Sequence, residues 1–245
     1  MDSLTQTYEE RLDEIDAYLA FLTALEKQVQ SGAPKLGGES VTSQQQKILY
    51  STVYLLLYNL VEATATWCLE AITGAAAKNG WLPKDLTTEL RREWIRFTAR
   101  THTDLNYQNR LAAAVDMCDR LVDSLPLDTW QLTRNAGNWD DNEIEAVTKR
   151  IGCRLRISRP VLALVKRPIR DDKKPLELVK YLRNRLAHGS MSFAECGDGI
   201  TVDDLKEIKD ATGAYLREVV AEVRRYIDGY EFIVPSRRPM AGAST

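Results

Sequence analysis

Apolar residues recur along the chain at spacings of three and four, the pattern that predicts amphipathic helices. The first such stripe lies within residues 5–30 and consists of Leu12, Ile15, Leu19, Leu22, Leu25 and Val29. Glycines and a proline between 32 and 38 interrupt it, and Ser43 is a suitable N-cap for a longer second helix that ends near Gly80. Residues 48–61 are apolar nearly all round, which predicts that this helix lies at the centre of a bundle.

The remaining periodic segments also predict helices. Pro83 opens a third helix, whose apolar positions are Leu86, Leu90, Trp94, Ile95 and Phe97. Further helices are predicted over residues 109–123 and 143–151, from Pro175 through the sequence LELVKYLRNRLAH, and over 202–229. Residues 153–172, which contain Pro160 and Pro168, are the least regular part of the chain. No segment alternates strongly enough to predict a sheet, so the expected fold class is all-α.

The composition is that of an ordinary globular protein. The 245 residues are 44% hydrophobic and 28% charged, which is sufficient for a sizeable core. We expect one domain over residues 1–230 and a disordered tail of low hydrophobicity over 231–245. The acidic N-terminus has no apolar h-region, and the most apolar run, 48–61, is too short to span a bilayer. These features predict no signal peptide, no membrane association and a cytoplasmic location.

The cysteines and histidines show no pattern typical of a metal or redox site. Cys68, Cys118, Cys153 and Cys196 are separated by 50, 35 and 43 positions, and none has C-x-x-C spacing. We therefore expect buried thiols in a reducing cytoplasm, with no metal and no cofactor. The two histidines exclude a His-rich metal site, and His102, in a polar segment, is interpreted as a surface residue.

Charge is segregated along the chain, although the formal net charge is only −2. Residues 149–188 contain 13 Lys and Arg against three acids, so this window carries +10 and the rest of the chain −12. Clustered basic residues are the electrostatic footprint of a protein that binds polyanions. A solvated basic surface, or one that docks on the acidic residues 1–30, is an equal alternative.

The basic window contains the sequence RNRLAH at residues 183–188, on a predicted helix. Asn184 and Arg185 share a helix face with His188, whereas Arg183 lies about 140° around the helix from it. Leucines spaced by four supply the buried stripe of this helix: Leu178, Leu182 and Leu186. A glycine follows His188 and fits the position that ends the helix, so His188 lies in the last turn, where the helix dipole favours its protonated form.

These residue types suit metal-free cleavage of RNA. The reaction needs a base for the ribose 2′-OH, an acid for the leaving 5′-oxygen and a cation for the charged phosphorane. His188 can act as the acid or the base, Arg183 can bind phosphate through two parallel hydrogen bonds, and Asn184 can orient His188 or hold a phosphate oxygen. Because one chain offers one histidine here, two copies of the helix would have to meet across a two-fold axis. On spacing alone, a capping or surface histidine is the alternative.

Three segments, in this order along the chain, resemble the HEPN superfamily (higher eukaryotes and prokaryotes nucleotide-binding), in a toxin- or defence-associated prokaryotic branch. They are residues 57–62 on the second helix, the sequence Gly137-Asn138-Trp139-Asp140, and residues 183–189 with the glycine-rich loop that follows. The resemblance covers about residues 45–220. It implies an up-and-down helical bundle that dimerises, with a long central second helix and a C-terminal pair of helices carrying the motif. It also implies a metal-independent endoribonuclease of the toxin or antiviral-defence type.

The resemblance assigns roles to individual residues. Arg183 and His188 match the family's catalytic Arg and His, and Asn184 matches the polar residue that follows the Arg. Glu62 falls where related proteins often carry an acidic residue, although a carboxylate that merely pairs with an arginine explains it equally well. The nearby cations would then bind RNA: Arg185, Lys180, Lys173 and Lys174.

The expected partners are RNA, a second copy of the chain, and an antitoxin or a second HEPN-type protein. The alternative function is a non-catalytic helical module that binds nucleic acid, a nucleotide or a partner protein in a defence complex. The five tryptophans are dispersed and form no base-stacking platform by pattern, although Trp139 would serve as one if it were exposed.

Overall fold

The computed structural model describes residues 3–29, 32–36, 38–101, 103–132 and 138–239, and the regular secondary structure in this part of the chain is almost entirely helical. Its α-helices are α1 (Ser3–Val29), α2 (Ser43–Lys78), α3 (Thr88–Thr98), α4 (Tyr107–Val122), α5 (Asp141–Arg150), α6 (Arg159–Lys166), α7 (Pro175–Ala187), α8 (Phe193–Cys196) and α9 (Val202–Asp228). The strands are β1 (Lys35–Leu36) and β2 (Glu39–Ser40), and short 3₁₀ turns cover Pro83–Asp85 and Pro235–Arg237. The all-α prediction is confirmed.

Helix α1 buries the apolar stripe that predicted it. Five of the six stripe positions are buried, and the exception, Val29, is the last residue of the helix and 45% exposed. The Tyr8 hydroxyl donates a hydrogen bond of 2.6 Å to the carbonyl of Gly213 in α9. Arg217 of α9 donates through two nitrogens to the carboxylate of Glu9, at 2.8 and 2.9 Å. These contacts fasten the acidic first helix to the last one.

Helix α2 is 36 residues long and begins at Ser43, so the predicted N-cap is its first helical residue. The cap is Thr42 instead: its hydroxyl accepts from the Gln45 amide at 3.2 Å, and Oε1 of Gln45 accepts from the Thr42 amide at 2.8 Å. Its central residues are buried on several sides, among them Val53, Tyr54, Leu57, Tyr58 and Val61. Of the described helices, α2 alone has the length and hydropathy that crossing a membrane requires, and 56% of its apolar window is buried inside the protein. A core helix of a folded protein has this same character.

Three local details differ from the sequence predictions. Pro83 opens a 3₁₀ turn, and α3 begins only after Thr87, whose hydroxyl accepts a hydrogen bond from the Leu90 amide. The segment expected to be irregular contains α6, with Pro160 in its first turn, where the missing N–H costs nothing. Residues 35–36 and 39–40 pair as a two-residue antiparallel ladder, too short for any periodicity to predict.

The chain divides into two compact units. The first contains residues 1–64, 138–142 and 157–218, and the second contains 65–137, 143–156 and 219–245. Helices α2, α5 and α9 contribute residues to both units. The assignment of residues 1–230 to a single domain stays a prediction.

The segment after α9 is packed at its start. Phe232 and Ile233 are buried, the Phe232 carbonyl accepts from the Thr87 amide at 2.9 Å, and Ile233 forms a bridge with Leu86. The boundary at 231 therefore lies too early, because residues 232 and 233 fill the second unit's core. Residues 240–245 of the expected tail lie outside the described residues.

Helix α4 forms where an amphipathic pattern predicts it, but its apolar face points outward. Ala113 is its buried residue, whereas the apolar side chains on the opposite face are exposed: Tyr107, Leu111, Val115 and Val122. Periodicity therefore located the helix correctly, yet did not determine which side of it is buried.

Three of the four cysteines are buried, and the expectation fails at Cys118, which is exposed on α4. Burial raises the pKa of Cys68 and of Cys153 to about 12, and that of Cys196 to about 11. Since the thiolate is the reactive form, these three thiols are both inaccessible and protonated at neutral pH.

We predict that native protein at pH 8 reacts with one equivalent of a thiol reagent such as DTNB, and that peptide mapping places the label on Cys118. Unfolding in guanidinium should release the other three thiols, because it removes both the burial and the raised pKa. Rapid labelling of two or more cysteines in the native state would contradict the packing described above.

Candidate active site

The motif lies on α7, whose sequence separates a buried stripe from an open face. Pro175 occupies the first turn, where it is tolerated. The side chains that anchor the helix are apolar and buried: Leu176, Leu178, Val179, Leu182 and Leu186. Burial of this stripe fixes the rotation of the helix, and therefore which motif residues reach solvent.

His188 is held by a well-defined helix end. It is the C-cap residue, with φ −89° and ψ 2°, and its amide donates to the Asn184 carbonyl at 3.0 Å. Gly189 follows with φ +66°, and the Gly189 and Ser190 amides donate to the carbonyls of Leu186 and Arg185. This pair of bonds is a Schellman motif, which needs a residue in the left-handed region where glycine is favoured. The imidazole is exposed at the end of the helix.

An open pocket of about 300 Å³ lies along the exposed face of α7. Its lining residues are Lys173, Glu177, Lys180, Tyr181, Asn184, Arg185, His188 and Ser190. The structure therefore brings five of the predicted site residues together, namely Lys173, Lys180, Asn184, Arg185 and His188. Lys174, also predicted, is the N-cap of α7 and does not line the pocket.

Arg183 faces away from the pocket, as the helical geometry indicated. Its guanidinium carbon lies 3.9 Å from the centre of the Tyr58 ring, and its Nη2 lies 3.3 Å from the Oε2 of Glu62. A guanidinium over an aromatic face is stabilised by the ring's quadrupole, and burial raises the pKa of Tyr58, so the ring stays neutral. The pairing of Glu62 with an arginine is thus the observed contact, and a role of Glu62 in catalysis stays a prediction.

Asn184 connects the two sides of α7. Its Oδ1 accepts a hydrogen bond of 2.9 Å from Nη1 of Arg183, and its Nδ2 donates at 3.4 Å to Oδ1 of Asn138. These bonds orient the amide toward Arg183 rather than toward His188. The suggestion that Asn184 orients the histidine therefore finds no hydrogen bond among the described residues, whereas contact with a phosphate stays a prediction.

Residues 138–141 contact the side chains of the site and of α2, a structural role that was not predicted from the sequence. Trp139 is buried, so it is not the exposed stacking platform considered above, and its amide donates to the Tyr58 hydroxyl at 3.3 Å. Asp140 is buried and accepts a hydrogen bond from Lys180, while Asp141 pairs with Lys166 at 2.5 Å. The sequence pattern that could have predicted these ion pairs is the pair of adjacent acids Asp140 and Asp141, which follow a tryptophan at the start of α5, together with the basic window that supplies their partners.

The predicted RNA-binding cations are in different environments. Lys180 is paired with the buried Asp140, so its charge is largely offset. The ammonium of Lys173 lies 4.7 Å from the centre of the Tyr181 ring, and Arg185 donates to the Tyr181 hydroxyl at 3.2 Å and to the Ser190 carbonyl at 3.0 Å. Whether these groups bind RNA stays a prediction.

Two residues named in the sequence analysis, His102 and Gly137, lie outside the described residues. Within the described part of the chain, no group of three or more His, Cys, Asp or Glu side chains is placed to hold a metal ion.

Comparison with known proteins identifies a family. A family model described as HEPN_MAE_28990-like HEPN matches residues 1–232. No curated protein and no solved structure matches the chain. The match confirms the resemblance inferred from the motif, and it extends beyond the expected limits of 45–220 to include α1 and the residues up to 44.

We predict that Lys180→Met destabilises the protein by about 1–3 kcal/mol, because it removes the charged partner of a buried carboxylate. Lys174→Met, six residues earlier on the same segment, should change the stability by less than about 0.5 kcal/mol, as expected for a surface position without such a partner. Urea unfolding followed by circular dichroism measures both. Equal stability of the two variants would show that the Lys180–Asp140 pair is not structural.

Proposed function

The chain belongs to the HEPN family, whose domains are often ribonucleases or nucleotide-binding modules, and on that premise we propose that it is a metal-independent endoribonuclease. One observation carries the proposal above the others. The exposed imidazole of His188 opens on the same pocket as the cations Lys173 and Arg185, at the end of the helix that also bears Arg183. An acid–base group and two cations able to pair with phosphate therefore line one pocket.

In the proposed mechanism, RNA is cleaved by attack of its own 2′-OH on the adjacent phosphate. His188 takes or delivers a proton, since imidazole changes its charge near neutral pH. Arg183 stabilises the negative charge that develops on the phosphorane, for which a planar guanidinium is well shaped. To reach the phosphate, Arg183 exchanges all or part of its contact with Glu62, so that Glu62 holds the guanidinium ready between turnovers.

A homodimer is part of the same proposal. One chain supplies one histidine in the pocket, whereas the reaction needs both an acid and a base. Arg183 and His188 also lie on different sides of α7, so a two-fold arrangement of two such helices would place two of each residue around one phosphate. We propose further that the protein acts in the cytoplasm as a toxin or defence effector, restrained by an antitoxin or a second HEPN-type protein.

The alternative function has its own support. The contacts of Arg183 with Tyr58 and Glu62 are those of a structural arginine, which suits a non-catalytic module that binds nucleic acid, a nucleotide or a partner protein. The two functions differ in one measurable respect, because only the enzyme breaks the RNA chain.

We predict that His188→Ala lowers the rate of RNA cleavage about 10²–10⁴-fold, the usual contribution of a positioned acid or base. Arg183→Lys should lower it about 10²-fold or more, because lysine keeps the charge but cannot form two parallel hydrogen bonds. The assay is incubation with total RNA and tRNA in excess EDTA, followed by mapping of the ends, which should carry 2′,3′-cyclic phosphates. Expression of the wild type, but not of His188→Ala, should inhibit growth.

Lys78→Ala is the matched control, since Lys78 is an exposed basic residue at the end of α2 and outside the basic window. It should cleave at the wild-type rate. Cleavage by His188→Ala at that rate, or a strict need for Mg²⁺, would overturn the proposed mechanism. RNA binding without any cleavage by the wild type would favour the non-catalytic module.

A further inference from the structure

Among the described residues, Tyr181 is the aromatic side chain that lines the pocket on α7. Its flanking leucine, Leu182, is buried, whereas Tyr181 is 37% exposed on the open face of the helix. It precedes Asn184 by three positions and His188 by seven, which places it on the same side of α7 and about 10 Å from His188 along the helix axis. An aromatic ring in this position is not needed for the core.

Two cations hold the ring, and one of them, Arg185, also lies toward His188, where a phosphate would bind. The Lys173 ammonium lies 4.7 Å from the ring centre, and the Arg185 guanidinium lies 5.7 Å from it. Nη1 of Arg185 also donates to the Tyr181 hydroxyl at 3.2 Å, which restricts rotation of the side chain. A ring that is ordered in advance loses little conformational entropy when a ligand stacks on it. The Lys173 ammonium lies over one face of the ring, so a base that stacks on that face displaces it, and the ammonium keeps its pairing with Glu177.

The pocket has two chemically different ends. Glu177 lies one helical turn before Tyr181, at 3.9 Å from Lys173, and its carboxylate repels a phosphate from that end. His188 and Arg185 lie toward the other end. A nucleotide would therefore place its base over Tyr181 and its phosphate toward His188. The volume of about 300 Å³ is at the lower limit for small-molecule sites and suits one nucleotide rather than a duplex.

We propose that Tyr181 is a stacking platform for one unpaired base of an RNA strand. This inference rests on the proposed function, because it names a further residue that binds the substrate of the same site. The physical reason is that a base can stack on a protein side chain only when its face is free, as in single strands and loops.

The test measures RNA binding without cleavage. Every variant carries His188→Ala, and a fluorescein-labelled 12-nucleotide single-stranded RNA reports the Kd by anisotropy. Tyr181→Ala should weaken binding about 5- to 150-fold, the range for loss of one base–aromatic stack, and Tyr181→Phe should stay within about twofold because it keeps the ring. Tyr107→Ala is the matched control, since Tyr107 is an aromatic residue on α4 that is 81% exposed. It should bind like the parent, and thermal unfolding checks that all variants are folded.

A duplex of the same length should bind more weakly than the single strand, and its Kd should change less than about twofold with Tyr181→Ala. Unchanged binding of the single strand to Tyr181→Ala, or equal losses in the Ala and Phe variants, would overturn the stacking role. The proposed function fails separately: wild-type protein that binds single strands through Tyr181 but never cleaves them would exclude the nuclease and retain the platform.

Discussion

The contact of the Arg183 guanidinium with the Tyr58 ring, at 3.9 Å, is the interaction on which the site depends. Tyr58 belongs to the buried core of α2, so this contact attaches the motif helix to the most deeply packed element of the first unit. The Tyr58 hydroxyl in turn accepts the amide of Trp139, and Asn138 next to it bonds to Asn184. Three segments far apart in sequence thus meet around one guanidinium. Loss of the ring would affect the orientation of Arg183, of Asn184 and of the segment 138–141 together.

Local chemistry made much of the fold predictable. The apolar stripe of α1, the start of α2 at Ser43, the start of α7 at Pro175 and the helix end at Gly189 each follow from residues within one or two turns. The features that were missed depend on distant partners. The outward apolar face of α4 has a pattern indistinguishable from that of a buried face, and α6 is a short helix in a segment with two prolines. Periodicity identifies an amphipathic helix, but the surrounding chain determines which face it buries.

The candidate site divides in the same way. Helical geometry alone separated Arg183 from His188 and grouped Asn184 and Arg185 with the histidine, and the pocket on α7 has this arrangement. Pairing of Glu62 with an arginine was one of the two sequence interpretations, but helical geometry could not identify the partner as Arg183, which is 121 residues away. Nor could it pair Lys180 with Asp140, which is 40 residues away and outside α7. The sequence prediction of a base-stacking platform was limited to tryptophans and did not include Tyr181; Trp139, the residue that it named, is buried.

The ion pair between Arg183 and Glu62 also affects how the protein would attract RNA. Opposite charges 3.3 Å apart form a dipole rather than a monopole, and beyond the Debye length of about 8 Å at physiological ionic strength their field is negligible. On the proposed function, an approaching polyanion would therefore be steered by lysines and arginines elsewhere on the basic window and not by Arg183. The rate of RNA binding would consequently depend on ionic strength. The rate of cleavage would depend instead on competition between the RNA phosphate and the Glu62 carboxylate for the Arg183 guanidinium.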